Sequence, residues 1–275
     1  MINPLLFCCS VCGSKLEITE HALVCTNEEK QHSFDMARQG YVHLVKPNKM
    51  HSKNPGDTKL MVDSRREFLT AGYYDIFADK LCEIVKNQGM ESPVILDCGC
   101  GEGYYTGKIK ECLPNADISG FDISKLAVKA AAGKYKNINF AVSSVFDIPV
   151  PNESVDILTD VFSPLAEKEF LRVLKKNGVF IYAVPGERHL WGLKEVLYEN
   201  PYENEYKETA YEGFELTDRI TVKGEIRLYS NAQIMNLFSM TPYYWKTDIK
   251  GSERLRALNE LTTEIHFDFL VYKKI

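Results

Sequence analysis

The sequence of 275 residues lacks any unbroken apolar run of the roughly 18 residues that a membrane-spanning helix needs. Its first seven residues lack the basic flank and the length of a secretory signal peptide. An excess of positive charge is also missing, since the formal net charge of −5 argues against a uniformly basic nucleic-acid-binding protein. We therefore expect a soluble cytoplasmic protein with no membrane partner, in which any contact with nucleic acid depends on local basic clusters.

Basic residues are concentrated between residues 38 and 66. This segment has seven lysines and arginines against two aspartates, with two histidines in addition. A run of charge is by default a solvated surface, so the pattern alone does not assign a partner. We call the following residues the basic stripe: Arg38, His43, Lys46, Lys49, His51, Lys53, Lys59, Arg65 and Arg66.

The eight cysteines do not have the distribution of a disulfide framework. Cys82 and Cys112 fall in helical patterns and Cys98 and Cys100 in a glycine-rich loop, where cysteine serves as a small apolar side chain. The other four lie within the first 25 residues. In an intracellular protein this clustering favours a metal site over disulfides.

The N-terminal cluster has the composition of a zinc site. A C-x2-C pair is followed after twelve residues by a third cysteine and after six more by a histidine, and Gly13 permits the tight turn that points two thiolates at one ion. The six residues between the third cysteine and the histidine exceed the common zinc spacing, so Cys8 and His21 stay open as alternative ligands. Four reduced thiols without a metal are the alternative to a zinc site. A site closed by four protein ligands would be structural. The predicted ligands are Cys9, Cys12, Cys25 and His32.

The stretch VILDCGCGEGYYTG at residues 94–107 predicts a strand, a glycine loop and a helix. Residues 94–96 have the apolar pattern of a strand that is buried on both faces, and Asp97 closes it. Gly99, Gly101 and Gly103 permit the sharp turn and the close approach of the backbone to a ligand. This order is the opening of a nucleotide-binding βαβ unit, although a glycine turn in an ordinary α/β sheet has the same pattern.

A second acid narrows the choice of ligand. Residues 116–121 form an apolar strand that ends in Asp122, where a carboxylate can accept hydrogen bonds from two ribose hydroxyls. The loop is not a G-x-G-x-x-G fingerprint for a diphosphate, which argues against a dehydrogenase. An adenosine-containing ligand without phosphates fits the pattern, and S-adenosylmethionine is such a ligand.

The motif D-C-G-C-G-E-G at residues 97–103 resembles motif I of class I methyltransferases. Over nearly the whole chain the motifs also resemble the RlmA-type family of 23S ribosomal RNA guanine-N1 methyltransferases. That resemblance rests on H-x-F-D-M-A-R-x-G-Y-V at 32–42, N-P-G-D at 54–57, S-R-R-x-F-L-x-A-G-x-Y at 64–74, P-G-x-R-H-L at 185–190 and M-T-P-x-x-W at 240–245.

The resemblance implies a set of residues that contact S-adenosylmethionine. From the residues alone, Tyr74 is equally compatible with a core tyrosine, and His189 with a surface or helix-capping histidine. Ser144 follows the third strand of the predicted domain, where this fold places a residue against the adenine. The implied cofactor-binding residues are Tyr74, Asp97, Gly99, Gly101, Glu102, Asp122, Ser144 and His189.

Asp160 and Phe162 follow the fourth strand of this domain, where class I nucleic-acid methyltransferases hold the acceptor base. Ligands of open α/β sheets bind at the carboxyl ends of the strands, so both side chains would face the crevice. Phe162 could stack on an extruded guanine, and Asp160 could take its N1 proton. The alternatives are a core phenylalanine and a helix-capping acid.

The predicted fold class is α/β, a Rossmann-like class I methyltransferase sheet of seven strands with helices on both faces, plus a small N-terminal zinc ribbon. We predict a zinc-binding RNA-recognition module at residues 1–57, a helical linker at 58–90 and the methyltransferase domain at 91–275. The aromatic residues of 240–245 are expected in the core.

The residue patterns predict a methyltransferase with S-adenosylmethionine as methyl donor and structural zinc, and the resemblance to the RlmA-type family implies 23S ribosomal RNA as its target. The zinc module and the basic stripe would hold the phosphate backbone and present a hairpin to the crevice. A small-molecule methyltransferase and a non-catalytic zinc-ribbon RNA-binding protein are the alternatives. A homodimer would present two zinc modules to one RNA, although no residue demands one.

Overall fold

The structure, a computed structural model, describes residues 6–46, 55–205 and 210–275. Within them the chain forms an eight-stranded mixed sheet and a three-stranded antiparallel sheet near the N-terminus. The small sheet contains β1 (Leu16–Ile18), β2 (Ala22–Cys25) and β3 (Ser33–Asp35), in that order. Three residues of the basic stripe, Lys49, His51 and Lys53, and Asn54 of the N-P-G-D motif lie outside the described residues.

The rest of the chain alternates strands and helices. After β4 (Tyr41–His43) come α1 (Lys59–Thr70), α2 (Asp75–Lys86), β5 (Val94–Cys98), α3 (Tyr104–Cys112), β6 (Asp117–Asp122), α4 (Lys125–Lys134) and β7 (Asn139–Val142). Then follow β8 (Val155–Val161), α5 (Glu167–Val173), β9 (Leu174–Pro185), α6 (Trp191–Leu197), β10 (Phe214–Leu228), α7 (Asn231–Ser239), α8 (Tyr243–Lys246), α9 (Ile249–Arg256) and β11 (Leu261–Lys274).

The large sheet has the strand order β10-β11-β9-β8-β5-β6-β7-β4. Strands β4 to β9 of this sheet run parallel, β11 is antiparallel to β9, and β10 pairs with β11 as an antiparallel edge. The chain order reverses between β5 and β8, which creates a crevice at the carboxyl ends of these two strands. The predicted class I methyltransferase fold is confirmed, and β4 adds an eighth strand that the sequence analysis does not predict.

Side chains of the central strands alternate between two apolar layers. Ile95, Ile157 and Ile181 face one layer, whereas Leu96 and Leu158 face the other. Strands that are buried on both faces therefore account for the continuous apolar runs in the sequence. Helices α1 to α4, α6, α7 and α9 contribute buried residues to the first layer, and α5 contributes to the second.

The N-terminal ribbon covers the part of the second face that α5 leaves open. Phe7, Leu16 and Leu23 are buried in the same apolar cluster as the central strands. The backbone N–H of Cys8 donates to the carbonyl of Pro149 at 2.8 Å. No helix forms between β7 and β8, so this face is accessible to the ribbon. The ribbon is consequently part of the core of the large sheet.

The predicted helical segment before β5 forms two helices. The side chain of Thr58 caps α1 by accepting a hydrogen bond from the backbone N–H of Met61 at 3.4 Å. Gly72, at φ +84°, separates α1 from α2. No helix in the described part of the chain is long and apolar enough to span a bilayer.

Candidate cofactor site, acceptor site and zinc centre

The four predicted zinc ligands come together in the ribbon. One ligand atom from each of Cys9, Cys12, Cys25 and His32 lies within 4.8 Å of all the others. The His32 Nδ1 lies 3.6 Å from the sulfur of Cys9 and 3.5 Å from that of Cys25, and the sulfurs of Cys12 and Cys25 are 3.9 Å apart. A tetrahedral zinc ion with these ligands sets such edges at roughly 3.5 to 3.8 Å, so the donor set fits zinc.

Local backbone geometry builds this centre. Gly13, at φ +76°, donates its N–H to the carbonyl of Cys9 at 2.8 Å, which forms the turn that brings Cys9 and Cys12 together. The N–H of His32 donates to the sulfur of Cys25 at 3.0 Å, so the long Cys25 to His32 segment closes on itself. Cys8 and His21, the alternative ligands, are not members of this group.

The glycine loop takes the conformation that its sequence predicts. Gly99, Gly101 and Gly103 have φ values of +75°, +55° and +83°. A Cβ at Gly99 would lie 2.4 Å from the Cβ of Ser163, so only glycine lets β5 pass this close to the end of β8. A Cβ at Gly101 would meet a single atom within 4 Å, the Nη1 of Arg65 at 3.8 Å. Gly101 therefore has the open side that a ligand over the loop would require.

Asp97 is buried, and its carboxylate binds neighbouring side chains. The hydroxyl of Thr159 on β8 donates to Oδ1 at 2.8 Å, and the hydroxyl of Thr106 on α3 donates to Oδ2. Burial raises the pKa of Asp97 to about 6 despite these hydrogen bonds. Asp97 thus ties the glycine loop to β8 and α3, and its predicted contact with the cofactor stays a prediction.

Asp122 at the end of β6 shapes the other side of the loop. Its Oδ2 accepts a hydrogen bond from the N–H of Gly101 at 3.0 Å, and its Oδ1 accepts one from the N–H of Ser124 at 2.7 Å. Burial raises the pKa of Asp122, and these two backbone donors oppose the rise. Each oxygen has a second lone pair, so the carboxylate can still accept the two ribose hydroxyls of an adenosine.

Glu102, one of the predicted cofactor-binding residues, is a buried acid within the loop. Its side chain is only 2% exposed, and its Oε1 has no hydrogen-bond partner among the described residues. Burial raises the pKa of this carboxyl. Because a buried acceptor without a partner is destabilising, the atom is suited to a donor that arrives with a ligand. This observation fits the ammonium group of S-adenosylmethionine.

Asp160 and Phe162 lie at the carboxyl end of β8, beside the crevice, and their roles toward an acceptor base stay predictions. Asp160 lies opposite Cys98 in the sheet and is fully buried; its Oδ1 accepts the N–H of Ser163 at 3.0 Å, and its Oδ2 has no partner among the described residues. Burial raises its pKa to about 8. Phe162 has φ +58°, a conformation that is rare for a bulky residue, and its ring is 44% exposed.

The ring of Phe162 rests on an aromatic group below the crevice. Its centroid lies 6.3 Å from that of His189, with the planes inclined by 25°, and 5.5 Å from that of Phe77. The group supports one face of Phe162 while much of the ring stays exposed. The helix-capping role that the sequence left open for Asp160 is not seen, because Ser163 lies in a turn before α5.

Tyr74 and His189 form a buried pair. The hydroxyl of Tyr74 lies 3.4 Å from Nε2 of His189, and the N–H of His266 donates to Nδ1 of His189 at 3.4 Å. The backbone donor assigns the proton of a neutral imidazole to Nε2. Burial lowers the pKa of His189 to about 3, so the ring is uncharged at neutral pH. Tyr74 is 3% exposed and packs edge-on against Phe267, in keeping with the core alternative.

Ser144 follows β7 and is half-buried. Its hydroxyl accepts the N–H of Phe146 at 3.2 Å in a tight turn, and Phe146 is 63% exposed. A place near the adenine remains a prediction for Ser144.

The basic stripe is more fully paired than its sequence suggests. Lys46 pairs with Asp147 at 3.0 Å, Arg66 with Asp63 at 2.9 Å, Lys59 with the same Asp63, and Arg65 with Asp57. Exposed ion pairs of this kind contribute little and can exchange for phosphates. The stripe is thus no uniform array of free cations.

Two features of the site escape sequence reasoning. Arg65 was grouped with surface cations, yet it lies over Gly101 because α1 packs near the loop. The expectation of a core position for residues 240–245 is wrong for Trp245, whose side chain is 65% exposed, although Tyr244 packs against Phe238. The apolar character of Trp245 gave no signal of its outward position.

Comparison with known proteins places this geometry in a family. Residues 91–249 match the family model "Methyltransferase domain", and residues 7–53 match the model "RlmA, N-terminal". A Micromonospora griseorubida protein named "Putative 23S rRNA (guanine-N(1)-)-methyltransferase" is 30% identical, over 93% of this chain and 92% of its own. The chain belongs to the RlmA-type family of 23S rRNA guanine-N1 methyltransferases.

Other relatives differ in how much of the chain they match. The Streptomyces fradiae protein named 23S rRNA (guanine(748)-N(1))-methyltransferase is 28% identical over 94% of both chains. The malonyl-[acyl-carrier protein] O-methyltransferase of Hahella chejuensis is 30% identical over only 40% of this chain and 45% of its own. Membership of the RlmA-type family and the donor sets described above agree on S-adenosylmethionine and one structural zinc ion.

Proposed function

We propose that this protein transfers a methyl group from S-adenosylmethionine to N1 of a specific guanine in a hairpin of 23S ribosomal RNA. The observation that carries the proposal is the crevice between β5 and β8, where the cofactor-type glycine loop and Asp122 adjoin Asp160 and an exposed Phe162. Matches to the rRNA methyltransferases over more than nine-tenths of the chain, ribbon included, support the RNA substrate.

Different residues of the crevice would bind the cofactor and the acceptor base in this reaction. Bound S-adenosylmethionine supplies an activated methyl group on sulfur. Asp122 would hold the ribose, Glu102 would accept a hydrogen bond from the ammonium group, and Phe162 would stack on the extruded guanine. Alignment of the reacting atoms can contribute several kcal/mol, and about 7 to 11 in the best intramolecular cases.

Removal of the N1 proton would fall to Asp160. Its Oδ2 has no partner among the described residues, and because it is buried, guanine N1–H could donate to it only where the crevice opens to admit the base. Because the pKa of Asp160 is raised to about 8, the ionised form is a stronger base than an ordinary carboxylate. The pKa also lies near the physiological pH, so a sufficient fraction of the carboxyl is ionised and able to accept a proton.

The ribbon and the exposed members of the basic stripe would hold the phosphate backbone. Arg38 is exposed on the segment between β3 and β4, and Lys59 and Arg66 lie on α1, where their partner Asp63 could give way to phosphates. Contacts of this kind fix the register of the RNA and do not select its sequence. Action on ribosomal RNA would be cytoplasmic, and a homodimer with two ribbons is part of this proposal.

The experiment is transfer of radiolabelled methyl to unmodified 23S rRNA, followed by nuclease digestion and identification of the labelled nucleoside. We expect N1-methylguanosine from the wild type and its loss in Asp122→Ala. The matched control is Glu91→Ala, an exposed acid ahead of β5, at the end of the strand opposite the crevice. Label in another nucleoside would refute the assignment to guanine N1. No label in RNA, together with cofactor binding, would favour a small-molecule acceptor or a non-catalytic role. Light scattering of the free protein would test the dimer.

A further inference from the structure

The side chain of Arg65 lies over the glycine loop, and the proposed function gives it no role there. It extends from the middle of α1, and in the described part of the chain its Nη1 is the one atom beyond the neighbours of Gly101 that lies within 4 Å of a Cβ built there. About a quarter of the side chain is exposed. A cation therefore stands on the open side of the loop, where the backbone approaches the cofactor.

Two contacts fix the guanidinium. Nη1 pairs with the carboxylate of Asp57, and Nη2 donates to the backbone carbonyl of Met240 at 3.2 Å. A guanidinium has five N–H donors, and these contacts use two. Within residues 6–46, 55–205 and 210–275 three donors remain for a ligand, and the two existing contacts restrict the direction in which they point.

Asp57 is itself held against the cofactor side of the sheet. Its carbonyl accepts the hydroxyl of Ser124 at 3.0 Å, and a Cβ on Gly56 would lie 2.8 Å from the Cβ of Ser124. The same Ser124 donates its N–H to Asp122 at 2.7 Å. Arg65 is thereby linked through Asp57 and Ser124 to the acid that would bind the ribose.

The glycine loop is surrounded by acidic side chains, so the positive charge of Arg65 is suited to bind an anionic group of a ligand. The positive charge of Arg65 opposes the burial-driven rise in pKa of both Glu102 and Asp122, and Lys134 on α4 adds to this effect at Glu102. The neighbouring Arg66 pairs with Asp63 at 2.9 Å and is about half exposed. S-adenosylmethionine carries a carboxylate at its amino-acid end, and an acid-rich crevice needs a cation to receive it.

We propose that Arg65 is a cofactor-positioning residue whose guanidinium binds the carboxylate of S-adenosylmethionine. Asp57 and the carbonyl of Met240 hold the guanidinium in the orientation that this contact needs. The inference rests on the proposed function, which requires this cofactor. Arginine suits the task because its planar fork matches a carboxylate, whereas lysine offers only a point charge. Arg65 would thus select the intact amino-acid end of the cofactor.

The test compares two ligands by titration calorimetry in the absence of RNA. One is S-adenosylmethionine, and the other is decarboxylated S-adenosylmethionine, which lacks only the carboxylate. We expect the wild type to prefer the intact cofactor, and Arg65→Ala to weaken its binding by roughly 10- to 100-fold. Binding of the decarboxylated ligand should change by less than threefold, so the discrimination disappears. Arg65→Lys should restore part of it, and Arg66→Ala should leave it unchanged.

Equal weakening of both ligands by Arg65→Ala would overturn the proposal, because Arg65 would then only shape the loop. A loss of discrimination in Arg66→Ala would overturn it as well. Melting temperatures of the variants identify any that fail to fold. If Arg65→Ala does not fold, Arg65→Lys, which keeps the charge, decides the question by the ratio of its affinities for the intact and the decarboxylated cofactor. The calorimetry uses no RNA, so a wild type that discriminates but methylates no guanine refutes the proposed function and leaves Arg65 supported.

Discussion

Substitution of the loop glycines should separate two demands that the structure makes on them. Gly99→Ala places a Cβ at φ +75° and 2.4 Å from the Cβ of Ser163, whereas the Cβ of Gly101→Ala, at φ +55°, would make an ordinary van der Waals contact of 3.8 Å with Nη1 of Arg65. The left-handed conformation costs an alanine about 1 to 2 kcal/mol. Overpacking against a fixed Cβ adds about 1 to 3 kcal/mol. We expect Gly101→Ala to lose about 1 to 2 kcal/mol of stability and Gly99→Ala about 2 to 5.

The assay is urea denaturation, combined with calorimetric titration of S-adenosylmethionine. Gly133→Ala is the matched control, because its Cβ would meet nothing within 4 Å and its backbone is helical; it should gain about 0.5 to 1 kcal/mol. Cofactor affinity should follow a different order. Gly101→Ala should weaken binding strongly despite its smaller cost in stability, since its new methyl group points to the open side of the loop.

A second substitution tests the cause of the loss in Gly99→Ala. Ser163→Gly removes the Cβ that the new methyl group would strike, so the double variant should regain about 1 to 3 kcal/mol relative to additivity. Ser163→Ala keeps that Cβ and removes only the Oγ, which would also lie 2.4 Å from the new methyl group, so it should restore less than Ser163→Gly. If Gly99→Ala is as stable as Gly101→Ala, or if Ser163→Gly gives no recovery, the close approach of the two strand ends is not what requires glycine at this position.

Three further predictions follow from the buried groups. With Asp160 as base, methyl transfer should rise with pH and level off above about 8, and Asp160→Asn should remove this trend in rate measurements. The raised pKa also means that folding stability falls as pH rises from about 4 to 8. In denaturation measurements Asp160→Asn should reduce this fall, and the part that remains comes from the raised pKa values of Asp97, Glu102 and Asp122. Cys9→Ser should lose one zinc by elemental analysis and lower the melting temperature, whereas Cys8→Ser should keep the metal. Thr159→Val should lower the free energy of unfolding in urea by about 1 to 3 kcal/mol, because it removes a hydrogen-bond donor from buried Asp97. Thr159→Ser keeps the hydroxyl and should lower it by less. Equal losses in the two variants would show that this hydroxyl is not needed.

The sequence predicts the strands and the glycine loop because their signals are local. The apolar run before Asp97 and the acid at 122 predict β5 and β6 directly, and the seven strands predicted for this sheet are present as β5 to β11. The zinc ligands are also found from spacing, although a spacing of six residues could not choose between His32 and His21. That choice depends on how the segment after Cys25 folds back, which the N–H of His32 accomplishes by bonding to the Cys25 sulfur.

Contacts between distant segments account for what the sequence could not predict. Strand β4 has three residues, and its partner β7 begins almost a hundred residues later, so no local pattern marks it. Arg65 looks like a surface cation until α1 packs near the loop. Trp245 shows the converse, since its apolar side chain is exposed. Residue type predicts burial on average, and the packing of whole elements decides each case.

The placement of β4 implies that the ribbon and the cofactor site are mechanically connected. In the sheet, His43 of β4 lies opposite Val142 of β7, and Val142 in turn lies opposite Asp122 of β6. The backbone N–H of Leu44 also donates to the carbonyl of Val142 at 2.9 Å. Neighbouring strands are about 4.8 Å apart, so about 10 Å separates the strand that leaves the ribbon from the acid expected to hold the ribose. Loss of zinc should therefore weaken S-adenosylmethionine binding as well as RNA binding. A metal-free protein that binds the cofactor with unchanged affinity would show that the ribbon and the crevice act independently.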